Sequence, residues 1–533
     1  LGNFYVSGIR GFPAGIDLWY DDLQLTVGGK PNPNYDPYMR NWKYRGQPDA
    51  FNPCQGLNAP PQCAQTGLGG DGGGDVDLAV SFPDPATGTV NNPPTLAYSS
   101  LIAVNISTGN TTDRGQTYNK NPVGNCSGGI CTDDRQWEEF LGQNTVYLFY
   151  RTFGGAVSQV QRSTDGGRTF GASQTAGLIG QAGYIDVHQK TGTVYISGST
   201  GQVCHSTTTL PDGTAAAYDC RVAAGDPNGV GHLFFVVKVA DDGTPNGTVY
   251  VAYSNDHDIF LAHSSDKGVT WSLPVRVSNG PETATSVFPW LETGPTPGSV
   301  GVVWYGTSDP KNDDNADWNV FFAQSFDANS VSPTFRQVKA SDHAIHGSNI
   351  SEGGLLGNAN RNLLDYFQVS FDANGAAVIG YTDDHNDFTG HTYVTHQISG
   401  PSINGGSGTI MLPDPGPAPA PESGPIPRAA DVGGLAGSQV TDFRDDVRLG
   451  GNPETGGLFV LPTDDPVDIL SVRYSSEATS ANNPAPLLVA TMKVSGSLSP
   501  LPPPSSNWRM NFTANAPNST LSPTGDFSFG LSD

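Results

Sequence analysis

The chain has 533 residues, with 67 glycines and 42 prolines spread through it, 51 acidic against 26 basic side chains, and a formal net charge of −25. Glycine and proline at this density exclude long helices, no apolar run approaches the ~18 residues of a membrane span, and the acidic balance lacks the basic footprint that nucleic acid or an anionic membrane requires. What remains is an all-β chain, long enough for a large repeat domain with a second domain attached.

Residues 1–70 are irregular, rich in Tyr, Pro, Asn and Gly, and are expected to wrap or close the domain that follows. From residue 71 to 400, runs of β-branched and aromatic residues alternate with Gly- and Asp-rich turns, the ordinary strand signal. Six first strands are predicted, at 75–80, 135–140, 184–187, 232–237, 287–291 and 365–369. A second-strand theme follows at 145–148, 193–196, 248–251, 300–304 and 377–381. A Pro/Gly-rich linker then covers 401–431, with its densest proline at 413–421, a composition that favours an extended, semi-rigid chain. Beyond it, strands at 457–461, 468–474, 486–494, 508–512 and 526–530 predict a β-sandwich domain over 432–533. Five strands are few for such a sandwich, so it is expected to be completed by further sequence, by a partner or by strands the pattern does not show.

One short pattern recurs in the repeat domain: Thr111-Thr112-Asp113-Arg114-Gly115-Gln116-Thr117-Tyr118, Ser163-Thr164-Asp165-Gly166-Gly167-Arg168-Thr169-Phe170 and Ser264-Ser265-Asp266-Lys267-Gly268-Val269-Thr270-Trp271. Each reads S/T-x-D-x-G-x-T-aromatic. Its mechanics are those of a tight turn: the carboxylate accepts backbone N–H groups, the glycine takes positive φ, and the aromatic ring returns to the sheet packing. A fourth, looser copy keeps Asp327 and ends at Phe335. The pattern is that of the Asp-box, and the chain resembles the Asp-box β-propellers, whose best-known members are the sialidases. The resemblance covers roughly residues 70–400 and implies a six-bladed β-propeller there, ahead of the β-sandwich domain read from the strand pattern, with Asp113, Asp165, Asp266 and Asp327 as scaffold.

In a propeller the first strand of each blade lines the axis, so the candidate site residues lie there. Asp75, Asp77, Asp134 and Arg135 are candidates for chemistry, and Trp137, His232, Trp290, Asp365 and Gln368 for ligand contact. Each has a bland alternative: the aspartates as turn ties, Asp134 with Arg135 as an ion pair between blades, the tryptophans as packing and His232 as a satisfied core residue. A catalytic sialidase, by the resemblance, needs three arginines to clamp a carboxylate, an aspartate as acid/base and a tyrosine nucleophile activated by glutamate. Its aromatic-Arg-Ile-Pro opening motif is absent; Ile9-Arg10-Gly11-Phe12-Pro13 comes nearest with different spacing. Arg221 and Arg361 are the remaining arginine candidates, and Tyr305 and Tyr366 the nucleophile candidates.

Hard oxygen ligands cluster at Asp313, Asn315 and Asp317 and again at Asp383 and Asp387, a composition suited to calcium or equally to solvated surface; no organic cofactor is indicated. The six cysteines fall as close neighbours, predicting local staples Cys54–Cys63, Cys126–Cys131 and Cys204–Cys220 in an oxidising compartment. Seven N-x-S/T sequons, the first two at Asn105 and Asn110, and an N-terminal Leu in place of Met agree with an exported, glycosylated chain. Two functions follow: a secreted or cell-surface propeller that binds extracellular glycan or protein partners without catalysis, its C-terminal domain serving attachment or self-assembly, or an exo-acting, sialidase-like glycoside hydrolase. The missing arginine motif favours the first.

Overall fold

The computed structural model describes residues 2–9, 15–33, 35–36, 39, 41–49, 72–102, 105–121, 133–152, 157–209, 215–224, 230–231, 234–352, 360–363, 367–385, 390–404, 409–411, 439–441, 469–480, 483–494, 507–515 and 524–532. It divides into two compact units, Leu1–His385 with Gly390–Ile426, and Asn386–Thr389 with Pro427–Asp533.

The first unit is a β-propeller. Its strands are β1 (Asn3–Ile9), β2 (Ile16–Asp22), the small hairpin β3 (Thr26–Val27) and β4 (Lys30–Pro31), and β5 (Lys43–Gly46). The next sheet holds β6 (Val76–Val80), β7 (Leu96–Ile102), β8 (Asn105–Thr111) and β9 (Asn119–Lys120), and the one after it β10 (Asp133–Leu141), β11 (Thr145–Thr152), β12 (Val157–Ser163) and β13 (Gln174–Gly177). Then come β14 (Ala182–Val187), β15 (Val194–Gly198), β16 (Gln202–Thr209) and β17 (Ala215–Val222), followed by β18 (Val236–Ala240), β19 (Thr248–Ser254), β20 (Ile259–Ser264) and β21 (Val275–Arg276). The ring continues with β22 (Thr285–Thr293), β23 (Val300–Thr307), β24 (Asn319–Ser325) and β25 (Arg336–Lys339), and with β26 (Gln368–Phe371), β27 (Ala377–Asp383) and β28 (His391–His396). A hairpin of β29 (Ser399–Pro401) and β30 (Thr409–Met411) follows.

Five of these sheets are four-stranded antiparallel meanders in chain order, and β26-β27-β28 and β1-β2-β5 are three-stranded. That makes seven blades, which corrects the six expected from the sequence. The seventh is the β1-β2-β5 sheet. Its Ile16 and Leu18 pack with Val76, Leu96 and Tyr98 of the following blade, while Val6 and Gly8 approach Gly380 and Thr392 of the last one. Turn-rich composition around these short strands hides their alternation.

An antiparallel meander puts the first-to-second and third-to-fourth turns on one face of the ring and the second-to-third turns on the other. All four aspartate turns join third to fourth strands and so share a face. In three of them the scheme is the same: Thr117, Thr169 and Thr270 donate a backbone N–H and a hydroxyl to the two oxygens of Asp113, Asp165 and Asp266. The closing aromatic ring reaches a neighbouring blade, as where the Tyr118 hydroxyl donates to the Arg45 carbonyl at 2.9 Å. Asp327 accepts Thr334 N–H at 2.8 Å across the longer turn. In the β14–β17 blade a disulfide joins Cys204 to its cross-strand partner Cys220. The Cys54, Cys63, Cys126 and Cys131 pairings lie outside the described residues. Two sequon asparagines are enclosed: Asn110 donates to the Asp165 and Gly166 carbonyls, and Asn349 to Asp314.

The second unit contains β31 (Gln439–Thr441), β32 (Ile469–Ser480) and β33 (Asn483–Val494) in one antiparallel sheet and β34 (Asn507–Asn515) with β35 (Thr524–Ser532) in another. The predicted strand at 457–461 lies outside the described residues. No described helix is long and apolar enough to cross a membrane.

Candidate functional site

The residues on the propeller axis owe their positions to one device repeated along the ring. The inner strands β10, β14 and β22 each break register, between Asp134 and Trp137, Ala182 and Ile185, and Val287 and Trp290. Arg135 and Phe288 sit in these breaks at φ of 53° and 51°, and Phe234, just before β18, at 36°. Bulky side chains in that region cost on the order of 1–3 kcal/mol each and persist only where packing enforces them. A bulge re-aims the side chains around it. Here it gathers an aromatic cluster: Trp137 lies 5.3 Å from Trp290, 5.4 Å from Tyr184 and 5.5 Å from Phe234, and Tyr184 lies 4.7 Å from Trp290. The Arg135 guanidinium covers Phe234 at 5.4 Å, a cation–π contact.

Two residues beyond Trp137, Val236 and Trp290, strand alternation returns to the same side and places Glu139, Lys238 and Glu292. The Lys238 ammonium is 3.1 Å from Glu292, 3.8 Å from Glu139 and 4.6 Å from the centre of the Tyr184 ring. Burial works against this cation, but the surrounding groups, Glu292 foremost, outweigh it and hold its pKa well above the ordinary lysine value. Burial raises the Glu139 carboxyl more than Lys238 lowers it. Asp186 is raised by the same cause, even though it accepts the Val239 and Val187 N–H groups at 2.6 and 2.9 Å. Together with Trp290, Gln368, Asp241 and the rim residues Phe82 and Asn404, these side chains line an axial cavity of about 500 Å³. Its strand lining comes from β6, β10, β14, β18, β22 and β26, the six inner strands legible in the sequence; β1 supplies none.

The other candidates take varied places. The Asp75 carbonyl accepts the Gln136 amide at 2.6 Å. Asp77, 2 % exposed, accepts the Glu138 N–H at 2.7 Å and the Gln368 amide at 3.4 Å, and burial pushes its pKa up to about 7. Glu138 beside it is fully buried, its pKa raised well above the carboxylate range by burial and by Asp77. Asp134 pairs with Arg151 of the adjacent strand at 3.1 Å, within its own blade. Tyr305 is buried and stacks on Phe367 at 4.2 Å. Arg221 is half exposed on an outer strand, 2.9 Å from Asp219. Arg361 lies in the segment between β25 and β26. His232, Asp365, Tyr366 and Asp387 lie outside the described residues. Asp313 accepts the Asn315 N–H at 2.9 Å in a loop where Asn315 and Asp317 are exposed. Asp383 stands instead beside His343 and His385. Lys238 and Glu292 were missed by sequence reasoning, although a lysine inside the run Val236-Val237-Lys238-Val239-Ala240 is a signal that could have found the first.

No protein-family model and no curated protein matches this chain. Among solved structures it is similar to the GH74 xyloglucanase from Xanthomonas campestris, with 15% identity over 63% of this chain and 45% of that one at a TM-score of 0.38. It is also similar to the leech intramolecular trans-sialidase complexed with 2,7-anhydro-Neu5Ac, with 10% identity, 60% and 68% coverage and a TM-score of 0.37. A fucose-specific lectin from Aleuria aurantia shares 11% identity over 63% of this chain and 95% of its own, at a TM-score of 0.33. Likeness of this degree adds nothing about chemistry to the propeller that the sheet topology already defines.

Proposed function

We propose that this protein is a secreted or cell-surface propeller that binds an extracellular glycan in its axial cavity without cleaving it. The carrying observation is the cavity itself: about 500 Å³, with aromatic rings at its floor and hydrogen-bonding groups of both signs in its wall. That is within the range of a small-ligand pocket and suits a mono- or disaccharide. The charges are already committed, Lys238 to Glu292 and Asp186 to two backbone N–H groups. A preformed wall whose lysine is already paired and whose Asp186 is tied to the backbone favours recognition over turnover. Export is supported by the Cys204–Cys220 disulfide, since such bonds persist in oxidising compartments. In this reading the aspartate turns are Asp boxes, and the second unit is a sandwich used for attachment or assembly.

The test is a glycan array probed with the full chain, followed by calorimetry on the best sugar. Glu292→Gln, which removes a charged acceptor, is expected to weaken binding at least about tenfold, and Gln368→Ala, which removes a neutral hydrogen bond, about three- to tenfold. Binding that both variants leave unchanged overturns the assignment of the cavity. The raised pKa of Glu139 supports a second reading, in which a carboxyl kept protonated serves as general acid for glycoside cleavage. Release of free sugar that Glu139→Gln abolishes would establish it.

A further inference from the structure

We propose that His343, Asp383 and His385 form a binding site for a divalent transition-metal ion, on the face of the propeller opposite the aspartate turns. The three side chains come from two loops, one after β25 and one at the end of β27, where second-to-third turns and blade-to-blade connections meet. His343 Nε2 lies 2.8 Å from Asp383 Oδ2 and 3.0 Å from His385 Nδ1, and His385 Nδ1 lies 2.5 Å from Asp383 Oδ1. Ligands about 2.0–2.1 Å from a tetrahedral metal sit about 3.3 Å apart, so the three side chains must spread by about 0.3–0.8 Å to admit the ion. Two imidazoles and one carboxylate select a transition metal over calcium or magnesium, which prefer all-oxygen sets.

Two further observations point the same way. On the far side of the His343 ring, Nδ1 is 2.6 Å from Asp342 Oδ1, the carboxylate–histidine arrangement that orients metal-bound imidazoles. The two loops are also fastened together beneath the site. Asp384 N–H donates to the Ile345 carbonyl at 3.0 Å, and the fully buried His346 is 2.8 Å from Asp384. The two loops are therefore held side by side before any ion arrives. Asp383 is 1% exposed while His343 and His385 keep 19% and 13% of their surface, which leaves one side of the site open to water or a ligand.

Zinc is the probe. Full-length protein, stripped with a chelator, is titrated with Zn2+ by calorimetry, with thermal unfolding read with and without the metal. One equivalent is expected to bind and to raise the unfolding midpoint. His343→Gln and Asp383→Asn should each weaken binding at least 100-fold and abolish that rise, Asp342→Asn should weaken it 10- to 100-fold with stoichiometry kept, and His257→Gln, an exposed histidine elsewhere, should change nothing. Absence of a saturable equivalent, or zinc binding that survives His343→Gln and Asp383→Asn, overturns the proposal. Should a variant fail to fold, cobalt on the wild-type chain decides: visible d–d bands of a nitrogen–oxygen site support the assignment, and a spectrum of free aquo-cobalt refutes it.

Discussion

Asp77 offers the sharpest quantitative test of the axial packing. It lies on β6, fully enclosed against Glu138 of β10 and Gln368 of β26, and burial pushes its pKa from the ordinary 3.8 up to about 7. The folded state therefore binds a proton that the unfolded chain has released, so its contribution is full below pH ~4 and is lost as pH rises through about 7. Over the window from pH 5 to pH 8 the linkage amounts to about 2.5 kcal/mol, on the order of 1.4 kcal/mol per pH unit in the steep part. For a unit of about 420 residues, with an unfolding entropy of roughly 0.9 kcal/mol/K, that corresponds to about 3 °C in the unfolding midpoint. Asp77→Asn removes the titration and keeps the shape: its amide oxygen accepts the Glu138 N–H, and its amide nitrogen can donate to a rotated Gln368 side chain. Midpoints measured by calorimetry from pH 5 to 8 should fall with rising pH in the wild-type chain. They should fall about 3 °C less in the variant. Parallel profiles, or a wild-type midpoint that rises with pH, refute the reasoning. The aspartate turns do not confound it. Burial opposes the shift at Asp165 and Asp266, but their threonine and serine hydrogen bonds prevail and lower both pKa values, so those groups act only below pH ~4.

Lys238→Met leaves Glu139 and Glu292 facing each other without their cation and should cost about 3–5 kcal/mol, a fall of roughly 3–6 °C by the same conversion; adding Glu292→Gln should recover part of it, read by calorimetry. Asp165→Ala removes the acceptor of Thr169 N–H, Thr169 hydroxyl and Ser163 hydroxyl and should cost about 1–2 kcal/mol with glycan binding unchanged. Replacing both Cys204 and Cys220 by serine opens a loop of 16-residue separation and should cost about 3 kcal/mol, measurable as a lowered denaturant midpoint under non-reducing conditions.

Much of the propeller was legible because its signals are local. The strand runs at 145–148, 248–251 and 300–304 fall inside β11, β19 and β23, and the aspartate turns fall where third and fourth strands meet. The first blade was not legible: β5 joins β1 and β2 only after the Thr26–Pro31 hairpin and a turn-rich stretch, so no periodicity spans the sheet. At the site, sequence alternation nominated Trp137 and Trp290 but not their purpose, which is to pack against each other through bulges that no local pattern encodes. Asp383 stands out in the sequence only as one of a run of hard oxygen donors. Its partner His343 lies 40 residues earlier, and only the fastening of two loops brings them together. Glu139, Lys238 and Glu292 occupy equivalent strand positions in three blades, a regularity visible only once the blades are aligned.

The central claim is that the axial cavity is the ligand site. A crystal of the full chain soaked with the best sugar from the array tests it most directly. Density between Lys238, Glu292, Gln368 and Trp290 with the sugar intact is expected; density only on the outer turns or the opposite face, with that cavity holding water alone, would rule the axial site out.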